Sequence, residues 1–211
     1  MIFKIEQVRT GFNMVWLATK NEKTLCTAIT PFEKGCINIT MDYSNGEQHR
    51  LYYNPADTSN GSSLIDRMKF RLYSQDELLG SIAGSNKKEK GFLQSYTYRF
   101  LKIGSDEYYL YEVGFDNKGL YLCIYRGDEL IAIAEKAMLV KDYQDSYEVY
   151  TTSSENIAVI VPLILHYDIT AHSDMMEVSL TSVKRKKVNT IQKELLKKFD
   201  DKFIEKVKAM E

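Results

Sequence analysis

The chain has 211 residues, of which 44% are hydrophobic, 27% charged and 12% aromatic, with Tyr alone accounting for 15. This profile excludes a disordered segment and fits one β-barrel or sandwich domain with an appendage, or two small domains. The net charge of −1 conceals a split, because residues 183–211 hold ten Lys/Arg against five acids, making this segment +5 and the remainder −6.

An acidic body with a basic tail points to self-docking or to an anionic partner. Cys26, Cys36 and Cys123 are odd in number and match no metal-ligand spacing, which favours a reducing, cytoplasmic setting. Residues 1–6 lack the charged start and long apolar stretch of a signal peptide, so no export is expected.

Strand signals begin at Phe3, Ile5 and Val8 and continue at 14–18 and 25–29, where Pro31 ends the run. Residues 36–41 alternate with period two, one face buried and one wet. Asn45-Gly46 is a tight-turn signal, with 49–53 as the returning strand, and 54–63 reads as a loop. Further strands are expected at 68–73, 78–83, 95–103, 108–115, 120–125, 130–140 and 147–151. Residues 84–91, 104–106, 116–119 and 127–128 read as hairpin loops between them. The three Ala and the Glu-Lys pair within 130–140 leave helix open as an alternative there.

Residues 157–165 form an uncharged apolar run, and the cheapest place for it is a protein interior. It is about half the length of a membrane-spanning helix, so no transmembrane segment is expected. A side-chain oxygen within Ser153-Ser154-Glu155-Asn156 caps a helix over about 155–169, kinked by Pro162; a buried strand is the alternative. A last strand is expected at 176–183. From Val188 the residues Ile191, Leu195, Phe199, Phe203, Val207 and Met210 recur every three or four positions, one apolar stripe on a Lys-rich amphipathic helix. Such a stripe is expected to pack onto its own barrel or to pair with a second copy, with a membrane surface as the alternative.

The expected fold is therefore mainly β: an antiparallel barrel of about 11–12 strands around a central hydrophobic helix, over residues 1–182, followed by the basic amphipathic helix of 183–211. Closure removes exposed strand edges.

Catalytic signals are absent. Gly80-Ser81-Ile82-Ala83-Gly84 puts the serine one position too early for a nucleophile elbow, and no Rossmann or Walker glycine pattern occurs. No cofactor is expected. His166, Asp168, His172 and Asp174 are of metal-ligand type, but on one helix His166 and Asp168 point about 200° apart, and hydrogen bonding at a helix end is the simpler reading. Lys184, Arg185, Lys186 and Lys187 suit an anion such as a lipid phosphate. The acidic body and the lack of interleaved aromatics argue against nucleic acid.

Tyr147-Glu148-Val149, followed by the apolar run and then His166-Tyr167-Asp168-Ile169, resembles the tubby C-terminal-like superfamily, which includes the phospholipid scramblases and the plant LURP-one-related proteins. The family pattern is a strand followed by a hydrophobic helix ending in an Asp-containing turn. The resemblance implies a barrel wrapped around that helix and a non-enzymatic module binding an anionic phospholipid surface or a protein partner, peripheral to the membrane. The chain departs from the family at Pro162, and it has no counterpart of the scramblase calcium segment or Cys-rich region. The alternatives are an assembly protein, homodimeric through the 188–210 stripe, and a metal-dependent enzyme built on the His/Asp residues.

Overall fold

The computed structural model describes residues 1–11, 13–31, 35–57, 68–88, 95–116, 119–137, 139–140, 144–172, 184–185 and 188–211. Twelve antiparallel strands close into one barrel. They are β1 (Ile2–Arg9), β2 (Val15–Lys20), β3 (Lys23–Ile29), β4 (Ile37–Tyr43), β5 (Gln48–Tyr53), β6 (Phe70–Ser74), β7 (Glu77–Lys88), β8 (Ser95–Ile103), β9 (Asp106–Gly114), β10 (Leu120–Arg126), β11 (Glu129–Lys136) and β13 (Ser146–Thr151). Strand β13 bonds both β11 and β1 and so closes the ring. A short ribbon pairs β12 (Leu139–Val140) with β14 (Lys184–Arg185).

Period-two alternation sends one apolar face inward on each wall strand. Phe3 and Ile5 face in on β1, Ile39 and Met41 on β4, and Leu122 and Ile124 on β10, all buried. Lys4, Asp42 and Arg71 occupy the outward positions. This polarity is opposite to that of a membrane-spanning barrel, whose outer band is apolar. Among the described residues, no helix is long and apolar enough to cross a membrane.

Helix α1 (Ile157–His172) fills the barrel. Ser153 caps its entry by accepting from the Glu155 amide at 3.2 Å, ahead of a 3-10 turn at Ser154–Asn156. Ile160, Leu163, Ile164, Leu165, His166 and Tyr167 have no exposed surface, so the helix is covered on every side. An isolated strand in that position would leave its N–H and C=O groups unpaired, whereas a helix satisfies its own. The helix continues through Pro162 to His172, three residues beyond the expected end.

The two ends of the barrel differ. Where α1 enters, the strands are joined by tight turns, with Asn21-Glu22 and Gln75-Asp76 both at positive φ, as two-residue hairpins require. All the longer connections leave from the opposite end. Strand β7 extends to Lys88, past the loop expected from residue 84, because Ser85 to Lys88 pair with Tyr98 to Ser95 on β8. The segment 130–140 divides into β11 and β12. The strand expected at 176–183 lies outside the described residues.

The C-terminal segment docks on the outer wall. Thr190 exchanges bonds with Gly114 and so extends the β9 edge. A Cβ on Gly114 would lie 2.5 Å from the Val188 carbonyl oxygen, so this close approach requires glycine. The expected helix is present but interrupted: α2 (Lys193–Leu196) gives way to a turn, and Asp200 caps α3 (Asp201–Ala209) through the Lys202 amide. Of the stripe, Leu195, Phe203 and Val207 are buried against the barrel, while Ile191 and Met210 are exposed.

Leu163→Ala should destabilise the fold by about 2–5 kcal/mol, read from the urea unfolding midpoint. Ile191→Ala should change it by less than about 0.5 kcal/mol. Similar losses for both would contradict the central position of α1.

Candidate functional site

Successive helix residues are about 100° apart, so His166, Tyr167 and Asp168 address three different sectors of the wall. His166 meets the Phe70 ring edge-on at 4.9 Å. Burial, with Arg99 nearby, pushes its pKa down to about 3 and keeps the imidazole neutral. Tyr167 lies under the buried Arg99 guanidinium, 4.4 Å from ring to Cζ, and bonds Glu112. One helical turn back from Thr170, the His166 carbonyl accepts from the Thr170 hydroxyl at 2.6 Å.

Asp168 anchors the largest polar cluster. Its Oδ2 accepts from Trp16 Nε1 at 3.2 Å and its Oδ1 from the Tyr147 hydroxyl at 2.5 Å. Lys136 Nζ donates to the Tyr147 hydroxyl at 2.8 Å and lies 3.5 Å from Asp168 Oδ1 and 2.5 Å from Asp145 Oδ1. The side chains of Lys136 and Asp145 are each 1% exposed and that of Asp168 is 5%. Burial raises the Asp168 pKa to about 6, Lys136 opposing and Asp145 adding to the shift. The cluster ties α1 to β2, β11 and β13.

The sequence-derived candidates are distributed differently. His166 and Asp168 are not brought together. The His172 side chain and Asp174 fall outside the described residues, and no group of three or more His, Cys, Asp or Glu that could hold a metal ion occurs among those described. The backbone of Lys184 and Arg185 pairs with Leu139–Val140 beside the long-connection end. Lys186 and Lys187 lie outside the described residues.

Lys136, Asp145, Trp16 and Arg99 escaped sequence reasoning. One signal was present for Lys136: it continues the inward period-two series Ala132, Ala134 on β11, so a charge at that position needed a buried partner.

The wall also carries outer hollows. One of about 270 Å³ is bordered by Lys4, Glu6, Glu135 and Glu148. The other wall carries a tyrosine layer on which the C-terminal segment rests. Lys198 Nζ sits 4.8 Å from the Tyr111 ring centre and 4.7 Å from that of Tyr125, and the Tyr125 hydroxyl donates to the Lys198 carbonyl at 2.9 Å. Phe199 packs on Tyr121 at 4.5 Å.

No match to the chain is found among protein-family models, curated proteins or solved structures.

Asp168 and His166 carry opposite pH dependences. Asp168 holds its proton more tightly when folded, so its contribution is full below about pH 4 and is lost as pH rises through about 6. His166 resists protonation when folded, so its contribution is full above about pH 6.5 and is lost as pH falls towards about 3. Asp168→Asn should therefore make stability rise more steeply with pH between 4 and 6.5 than in the parent, and His166→Leu less steeply. Urea midpoints across that range check both slopes.

Proposed function

We propose that the chain is a non-enzymatic binding module, akin to the tubby-like barrels, that engages an anionic phospholipid surface through the end of the barrel bearing its long connections. Lys184, Arg185, Lys186 and Lys187 are the contact residues. The observation that carries this reading is the β12–β14 ribbon, which fastens the start of the basic segment beside that end. Binding residues concentrate on loops presented by a rigid scaffold, and a closed barrel is such a scaffold.

Three further features support the reading. The interior is occupied by α1 and packed side chains, which leaves a surface mode of action. The hydrophobic helix lies inside a closed antiparallel wall, the architecture that the resemblance implies. The stripe that would pair two copies spends Leu195, Phe203 and Val207 on the barrel of its own chain, which favours a partner other than a second copy.

Co-sedimentation with vesicles of phosphatidylcholine, with and without phosphatidylserine, tests the proposal. Binding is expected only to the anionic vesicles and should weaken with added salt. Each basic residue near such a surface contributes about 1 kcal/mol, so replacing Lys184, Arg185, Lys186 and Lys187 together by Ser should weaken binding on the order of a hundredfold or more. Absence of binding to anionic vesicles at low salt removes the proposal.

A further inference from the structure

The Lys136–Asp145–Asp168 cluster is unusual for a buried ion pair. Charged pairs taken out of water are normally held by aligned hydrogen bonds. Lys136 Nζ lies 2.5 Å from Asp145 Oδ1, closer than the roughly 2.7–2.9 Å of a charge-assisted hydrogen bond. Yet neither carboxylate oxygen of Asp145 has an aligned hydrogen-bond donor among the described residues. The nitrogen is thus pressed against the Asp145 carboxyl group without hydrogen-bond geometry, while it donates to the Tyr147 hydroxyl at 2.8 Å. A second carboxylate, Asp168, stands 3.5 Å from the same nitrogen.

From this arrangement we propose that Lys136 and Asp145 condense into an intramolecular amide, with Asp168 moving the proton. The partners occupy neighbouring elements, Lys136 at the end of β11 and Asp145 just ahead of β13, so the bond would close residues 137–144 into a covalent loop. The proposal is independent of the membrane reading.

The chemistry balances without an outside reagent. The reaction starts with one proton moving from Lys136 Nζ to the Asp145 carboxylate oxygen 2.5 Å away, which leaves a free amine and a carboxylic acid. The free amine attacks Asp145 Cγ. As the C–N bond forms, Asp168 takes one proton from the nitrogen. It returns that proton to the departing oxygen of Asp145 as the C–O bond breaks. One amide and one water result, nothing is oxidised or reduced, and Asp168 ends as it began. Asp168 stands 3.5 Å from the same nitrogen, within reach of the proton it is to move, and its burial favours holding that proton. Fixed proximity supplies the effective concentration that a free amine and acid lack in solution.

Intact mass spectrometry of the purified full-length chain, under denaturing conditions, tests the proposal. A mass about 18 Da below that of the sequence is expected, with peptide mapping that joins Lys136 to Asp145. Lys136→Met should restore the full mass, which separates the amide from dehydration elsewhere. Asp168→Asn should fold, by circular dichroism, and keep the full mass or lose water far more slowly. Any of three results overturns the inference: a parent chain at its sequence mass, a deficit that persists in Lys136→Met, or a link mapped to Asp168 instead of Asp145. An undiminished rate of bond formation in Asp168→Asn removes the proton-transfer role. Mapping on the parent chain decides the question even if Lys136→Met does not fold.

Discussion

A helix with no polar face can exist in water only if something encloses it, and the architecture follows from that constraint. An α-helix with its side chains is about 10–12 Å across. A barrel of eight strands is filled by its own inward side chains, so enclosing a helix needs a wider ring. Twelve strands provide that width, and the small residues Ala18, Ala28, Ala132 and Ala134 on the inner wall leave room for the larger side chains of α1. Closure and filling depend on each other. Without α1 the ring would enclose a void that its apolar lining cannot tolerate, and without the ring the run at 157–165 would face water.

Apolar packing does not by itself set the rotation of a cylinder that is greasy all round. The polar residues of α1 supply that information. Asp168 accepts from Trp16 of β2 and Tyr147 of β13 and pairs with Lys136 of β11, and Tyr167 meets Arg99 of β8 and Glu112 of β9. Turning the helix by one residue would take the Asp168 carboxylate away from Lys136, Trp16 and Tyr147 and put Tyr167 or Ile169 in its place, an uncompensated polar burial of several kcal/mol. The charges inside this barrel therefore select one helix orientation out of many that would pack about equally well.

Features of short sequence range were legible and those of long range were not. Apolar runs, with period-two alternation at 36–41, located the wall strands, Asn45-Gly46 marked its hairpin, and the polar stretch 153–156 marked the helix start, because each acts over a few residues. The Asn21-Glu22 turn carried no such mark, since a glutamate at positive φ is imposed by the strands it joins. Composition misplaced the end of β7, where Gly84 and the following polar residues look like loop until β8 supplies their partners. The break before α3 was visible in principle in Asp200, but the apolar stripe runs through it unchanged in period. The buried cluster unites positions 16, 136, 145, 147 and 168, and nothing local announces that these meet.

The charge split reads differently once the tail is in place. An acidic body and a basic tail suggest docking by attraction, but the ion pairs that fasten the tail among the described residues have the opposite sense. Glu211 of the tail reaches Lys20 and the amino group of Met1, and the lysines at the interface, Lys198 and Lys208, lie over tyrosine rings. Docking rests on Leu195, Phe203, Val207 and the aromatic layer, with Lys–ring contacts worth about 0.5–1 kcal/mol each where exposed. Lys202 and Lys206 remain on the solvent side of α3. Among the described residues, the tail is therefore held by apolar and aromatic packing with its lysines over rings or facing solvent, and not by attraction between its net charge and that of the body.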